Sequence, residues 1–303
     1  MKRFLRRAVL PLGVLALALG VLLLIGLREV PVPERARFAI DLGALRALAG
    51  PDDALPERAR ADLVGQSFFP EFIGIAGGGA ARMPLGFYVW QFAYGDGSHV
   101  VIDAVHSRAS HPAVTGAYYD DAWQRQERAV GAASVMAVTH EHNDHLGGFT
   151  ESTHFDRLGA KLKLNAAQRG HPRAGGVARD LKGEATLESG PEGSLHKVAP
   201  GVVAISAPGH TPGTQMLYVR LKGGREFLLI GDIAWQGTAL ERVRNRPKLP
   251  TWILGEDSLA VAHQLRAIID FKKVNPSVDV VVSHDIGQME ARFAAGRVTR
   301  GLE

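Results

Sequence analysis

The chain has 303 residues, 46% of them hydrophobic, enough to bury one core of ordinary size. Its formal charge of +4 comes from Lys2, Arg3, Arg6 and Arg7, because the other 31 basic side chains are matched by 31 acidic ones; the charge therefore points to no nucleic-acid partner. The absence of cysteine excludes disulfides, thiolate ligands and cysteine nucleophiles, so any transition-metal site must use imidazole and carboxylate.

Residues 8–27 are 20 positions without a charge. As a helix rising ~1.5 Å per residue, such a run spans the ~30 Å hydrocarbon core of a bilayer. The basic tip at 1–7 then belongs in the cytoplasm and everything after Arg28 on the far side, the periplasm in a Gram-negative cell. A cleaved signal peptide is the competing reading, but the run exceeds the usual ~7–15 apolar residues and no small-x-small site follows Leu27. Residues 28–84, punctuated by Pro31, Pro33, Pro51, Pro56 and Pro70, read as a stalk and packing extension with one short helix from the N-cap Asp41 through Leu48. The glycines at 74 and 77–79 lack the Lys-Ser/Thr ending of a phosphate loop and read as a turn.

The main domain is expected over 85–303. Strands at 87–92 and 99–102 flank the hairpin signal Gly95-Asp96-Gly97. A helix is expected at 118–130, and strands at 134–139, 202–206, 215–221 and 227–230. Leu259, Ala262, Leu265, Ile268 and Ile269 carry the three-and-four spacing of an amphipathic helix over 258–271. A buried strand at 278–282 delivers His284.

The chemistry concentrates where strands end. Thr139-His140-Glu141-His142-Asn143-Asp144-His145-Leu146-Gly147-Gly148 begins at the end of a short apolar strand. In extended backbone His140 and His142 project to one side and can reach one ion, while a turn lets Asp144 and His145 address a second. Gly147 and Gly148 are expected to permit that sharp turn. His210, in Pro208-Gly209-His210-Thr211-Pro212-Gly213, follows another strand, and Asp232 and His284 end two more. Alone, Asp232 reads as a helix cap and His284 as a satisfied histidine; five histidines and two aspartates together, all at strand ends, are best explained by a metal pair.

This pattern resembles the metallo-β-lactamase superfamily over roughly residues 87–286, and its lactonase and glyoxalase II-like branches above all. The resemblance implies an αββα sandwich, here preceded by one transmembrane helix. It places His140, His142 and His210 on one ion, Asp144, His145 and His284 on the other, and Asp232 between them. Asp103 matches a position where the family has an aspartate near the site, and would orient ligands rather than bind metal. Two divalent ions, zinc by default with manganese or iron as alternatives, share a water and lower its pKa from 15.7 toward ~7, supplying hydroxide against a lactone or ester carbonyl. Asp144 is the carboxylate placed to orient that hydroxide or pass its proton to the leaving oxygen.

The expected partners are thus a small-molecule substrate and, through the N-terminal helix, a membrane. Where the lactonases place a tyrosine three residues after the bridging aspartate, this chain has Trp235, whose indole N–H is a possible donor to substrate. The loop 236–257, with Arg242, Arg244, Arg246, Lys248 and Trp252, either covers the site and meets an anionic group or is solvated surface. The alternatives to a lactone or ester hydrolase are a β-lactam or phosphodiester hydrolase of the same fold, a mononuclear iron dioxygenase acting on persulfides, and a non-catalytic metal-bound scaffold.

Overall fold

The computed structural model describes residues 17–18, 20–111, 116–170, 187 and 190–303. Half of the expected anchor at 8–27 lies outside these. Its described end is helical over 20–26, and no helix among the described residues is long and apolar enough to cross a membrane.

Two sheets are stacked face to face. The first runs β11-β1-β2-β3-β4-β5 and the second β10-β9-β8-β7-β6. In chain order the elements that matter for the site are helix α1 (Leu42–Ala49), strands β1 (Arg58–Pro70), β2 (Arg82–Ala93) and β3 (His99–Ile102), helix α2 (Asp120–Ala132), strand β4 (Val135–Ala137), helix α3 (Asn143–Thr150) and strand β5 (Leu162–Lys163). There follow β6 (Leu195–Ala199), β7 (Val202–Ser206), β8 (Gln215–Arg220), β9 (Glu226–Leu229), helix α4 (Ser258–Val274), β10 (Asp279–Val281), helix α5 (Ile286–Ala294) and β11 (Thr299–Arg300).

The central strands are apolar on both faces because both faces are covered. Trp90, Phe92, Val100, Ile102 and Ala137 of the first sheet meet Val202, Ala204, Leu217, Val219, Phe227 and Leu229 of the second in the inter-sheet core. The alternate residues Val89, Val101 and Met136 face outward into a second cluster that includes Ala129 of α2 and Leu146 and Phe149 of α3, while Val203, Ile205, Tyr218 and Leu228 share that cluster with Val261, Leu265, Ile268 and Phe271 of α4. The layers are thus the expected αββα sandwich. Asp41 caps α1 as its position suggested, accepting from the amides of Gly43 at 2.8 Å and Ala44 at 3.1 Å.

Residues 28–84 are not a stalk throughout. β1 pairs with β2 from Arg58↔Ala93 to Pro70↔Arg82, so the sheet begins 27 residues before the expected boundary at 85. Its inward positions are the small Ala59 and Ala61, interleaved with Arg58, Arg60 and Asp62, a composition of weak strand propensity that the pairing with β2 overrides.

α1 is tied to the second sheet by Arg46, which donates two bonds of 2.7 Å to the buried Glu226, a carboxylate that also accepts the Tyr218 hydroxyl. Burial alone would raise the Glu226 pKa, but the bonds from Arg46 and Tyr218 outweigh it and hold it below the ordinary 4.5. A carboxylate lowered in this way adds stability that is complete above its unfolded pKa and is lost as pH falls through the folded one. Arg46→Met is therefore expected to move the acid-unfolding midpoint, followed by circular dichroism, to higher pH; an unchanged midpoint would make the pair energetically neutral.

Candidate metal centre

Sheet topology brings five loops to one rim. β7 and β9 are both antiparallel to β8 and hence parallel to each other, and β10 is parallel to β9, so all three end on the same side. β3 and β4 are parallel in the other sheet. The two rims are sewn together where the Gln215 amide, at the start of β8, donates to the Thr139 carbonyl, just past β4, at 2.8 Å. Gly231 reaches the seam at φ 56°, and a Cβ there would lie 2.9 Å from the Thr139 Cβ. The glycine before Asp232 is required twice over, by conformation and by space.

All seven residues expected as ligands converge on this rim. His140, His142, His210 and Asp232 form one group of potential metal ligands and Asp144, His145 and His284 a second, the ligating atoms in each within 4.8 Å of one another. His142 turns Nδ1 inward, 3.1 Å from Nε2 of both His140 and His210. Asp232 faces both groups at once. Its Oδ2 lies 3.8 Å from His140 Nε2 and 3.4 Å from His210 Nε2, and its Oδ1 lies 3.3 Å from His145 Nε2 and 2.9 Å from His284 Nε2. Asp144 Oδ2 stands 3.6 Å from Nε2 of both His145 and His284.

Four rings have their outer nitrogen tied down, which fixes each orientation. His145 Nδ1 is 2.9 Å from Asp103 Oδ2, His210 Nδ1 is 2.7 Å from Glu256 Oε2, His284 Nδ1 is 2.8 Å from the Gly86 carbonyl, and His140 Nδ1 is 3.2 Å from the Thr139 hydroxyl. Asp103 thus fixes the ring of the candidate ligand His145. It does so from a left-handed backbone conformation, φ 57°, while also accepting the Thr139 amide at 2.7 Å; strain of about 1–3 kcal/mol is stored there.

The charges fit cations. Burial opposes a proton on His145 and on His284, yet Asp144, Asp232 and, for His145, Asp103 outweigh it and raise both pKa values. Burial would also raise Asp232, but His284, His140 and His145 hold it well below the usual carboxylate range. His140 and His142 are pushed down, by burial first and by neighbouring imidazoles second. His145 Nε2 and Asp232 Oδ1 are buried without a hydrogen-bond partner. Imidazole nitrogens gathered around ionised carboxylates, with polar atoms left unbonded between them, are a donor set suited to borderline divalent ions.

Three details differ from the sequence expectations. Gly147 and Gly148 do not make a turn; they lie inside α3, where a Cβ on Gly148 would sit 2.5 Å from the Val105 carbonyl. Asp144 and His145 are therefore presented by the first turn of a helix. Trp235 donates its indole N–H to Asp232 Oδ2 at 2.8 Å, so that donor serves the carboxylate and not a substrate carbonyl. The basic loop is divided: Arg242 and Arg244 pair with Glu71 and Glu29 on the surface, whereas Arg246 is buried under the site, bonded to Glu256 and lying 5.2 Å over the Trp235 ring.

Glu256 and Glu141 carried no signal in the sequence, and Arg246, one of the basic residues noted in the loop, gave no sign that its partner is Glu256. Glu141, between two ligand histidines, is fully buried and accepts the Thr211 hydroxyl at 2.7 Å and the Gly213 amide at 3.0 Å, holding the His210 turn against the first motif. Burying a carboxylate in a loop is costly unless bonded, and only the folded chain shows the bonds. The candidate ligands open into a cavity of about 440 Å³ walled by Phe69, Leu85, Phe87, Trp235 and Leu254, with Ser67, Ser110, His106 and Asn143 as its other polar groups. His106 Nε2 stacks back on His111 Nδ1 at 3.1 Å.

Sheet order, rim and ligand groups together define a protein of the metallo-β-lactamase fold. A quorum-quenching N-acyl homoserine lactone lactonase superposes with a TM-score of 0.57 at 16% identity, covering 78% of this chain and 95% of its own. An N-acyl homoserine lactone hydrolase with N-hexanoyl-L-homoserine at its catalytic metal centre gives 0.56 at 16%, covering 78% and 96%. A probable metal-dependent hydrolase from Staphylococcus aureus gives 0.56 at 11%, covering 76% and 90%. At these identities the likeness is one of fold. No protein-family model and no curated protein matches the sequence.

Proposed function

We propose that the chain is a membrane-tethered metal-dependent hydrolase with a dinuclear centre, acting on lactones or esters. The observation that carries this is Asp232, whose two oxygens each address a different ligand group. His140, His142 and His210 would hold one ion and Asp144, His145 and His284 the other, with Asp232 shared; zinc is the default, and manganese or iron would also suit these ligands. Bound there, two divalent ions supply Lewis acidity and lower the pKa of a water toward ~7.

The protein's own groups do the rest. Asp144, part-exposed at the cavity floor, is placed to hold a proton and deliver it to a leaving oxygen. Trp235 and the buried rings keep Asp232 in one orientation, and the apolar wall binds a hydrocarbon portion of the substrate while excluding water. An oxygen leaving group suits this arrangement, since an amide nitrogen must be protonated as it departs. The lactonases that share the fold support the same substrate class.

Metal analysis joined to a substrate panel tests the reading. Full-length protein is expected to hold about two ions, as its two ligand groups suggest, and to cleave lactones and activated esters faster than β-lactams or phosphodiesters. One ion at saturation, with His145→Ala and His284→Ala harmless to metal content, would reduce the centre to a mononuclear one. A phosphodiester or β-lactam ahead of every lactone and ester by tenfold overturns the substrate class. The tether rests on the uncharged run at 8–27 and its basic flank. Protease outside sealed spheroplasts should digest the domain; digestion only after permeabilisation would reverse the topology.

A further inference from the structure

We infer that the short helix Lys248–Leu254 lies in the lipid–water interface beside the N-terminal segment, so that the cavity opens onto the bilayer and takes acyl substrates from it. The inference rests on the proposed tether and adds which face of the domain meets the membrane.

Trp252 and Ile253 are adjacent apolar residues 51% and 69% exposed, in a helix whose next residue, Leu254, lines the cavity. Phe69, another cavity residue, is also exposed. The chain coming from the N-terminus is fastened to this helix. The Lys248 amide donates to the Arg28 carbonyl at 2.8 Å, Glu29 bridges to Pro247 and accepts the Asn245 amide at 2.7 Å, and a Cβ on Gly26 would meet the Leu249 Cβ at 3.0 Å. The helical turn 20–26 exposes Val21, Leu22, Leu23, Leu24 and Ile25 next to that anchor point. A bilayer that takes up this run must also come to Trp252 and Ile253, since a few residues of bonded backbone separate them.

The side-chain chemistry suits that plane. Tryptophan prefers the headgroup boundary, where its ring is half-solvated, and Arg28 and Lys248 sit where lipid phosphates would be. Apolar side chains gathered at a cavity mouth in water would otherwise be a liability. In the sequence the turn 20–26 is preceded by residues 8–16 of the same uncharged run and by the basic Lys2, Arg3, Arg6 and Arg7.

The test uses the full chain in phosphatidylcholine–phosphatidylglycerol vesicles, with and without bromine on the acyl chains. Brominated lipid should quench a fraction of the emission of the four tryptophans, and Trp252→Phe should lack that fraction. The Trp252→Ser/Ile253→Ser protein should keep its rate on a short water-soluble lactone and lose about tenfold or more on a long-chain ester carried in the vesicles, the loss expected for removing two buried apolar side chains. Equal quenching of both proteins, or equal rates on the vesicle-borne ester, overturns the inference. Failure to float with vesicles at all removes the tether and this surface together, whereas flotation without Trp252 quenching removes only the surface. A concentration-dependent dimer in detergent that the double variant abolishes would assign the face to a second copy of the chain and overturn the membrane assignment.

Discussion

Asp232→Ala is expected to yield protein that holds neither ion firmly and has lost turnover by on the order of a thousandfold, the scale of removing a charge-stabilising group from a catalytic site. The carboxylate is buried, and each oxygen addresses a separate ligand group at 2.9–3.4 Å through His284, His145 and His210. No neighbouring acid can substitute: Asp144 faces only the second group, and Asp103 and Glu256 are committed to the outer nitrogens of His145 and His210. Asp232→Asn separates charge from shape. It keeps the volume and an oxygen for the Trp235 indole, so its thermal melt should stay near wild type in the presence of chelator while its metal content falls. Two tightly held ions and turnover within tenfold of wild type in the alanine variant would show that Asp232 is not the shared ligand.

Glu256→Ala should be damaging in two separable ways. It strips the partner from Arg246, which is 2% exposed, and an unpaired buried charge costs about 3–5 kcal/mol. It also frees the His210 ring, whose Nδ1 is held by Glu256 at 2.7 Å; loss of such an outer partner lowers metal affinity by about 10–100-fold. The double variant Arg246→Met/Glu256→Leu removes both charges and refills the volume. It is expected to recover most of the melting temperature and none of the metal affinity, as read by chelator competition. Recovery of both would make the pair a packing element only, with no hold on His210.

Much of the site was legible because its signals are local. A strand followed by His-x-His-x-Asp-His, a Pro-Gly-His turn after a strand, and apolar runs ending in Asp232 and near His284 all appear within short windows, where backbone period and side-chain chemistry speak directly. The Asp41 cap, the hairpin at Gly95–Gly97 and the three-and-four spacing in α4 were legible for the same reason. β1 was not, since alanines alternating with arginine and aspartate become a strand only when β2 offers twelve residue pairings.

The amino-acid sequence by itself determined the candidate ligands, their order and the strands that carry them, because these depend on neighbours a few positions away. Only the tertiary structure decided that the strand ends of two sheets share one rim, that Asp232 looks both ways, and that Trp235 serves this carboxylate. It also decided that Arg246 and Glu256, 36 and 46 positions from His210, hold that ring in place. Those are contacts between residues distant in the chain, set by parallel strand direction, the seam at Thr139 and Gln215, and the cost of burying a charge without a partner, none of which a local window contains.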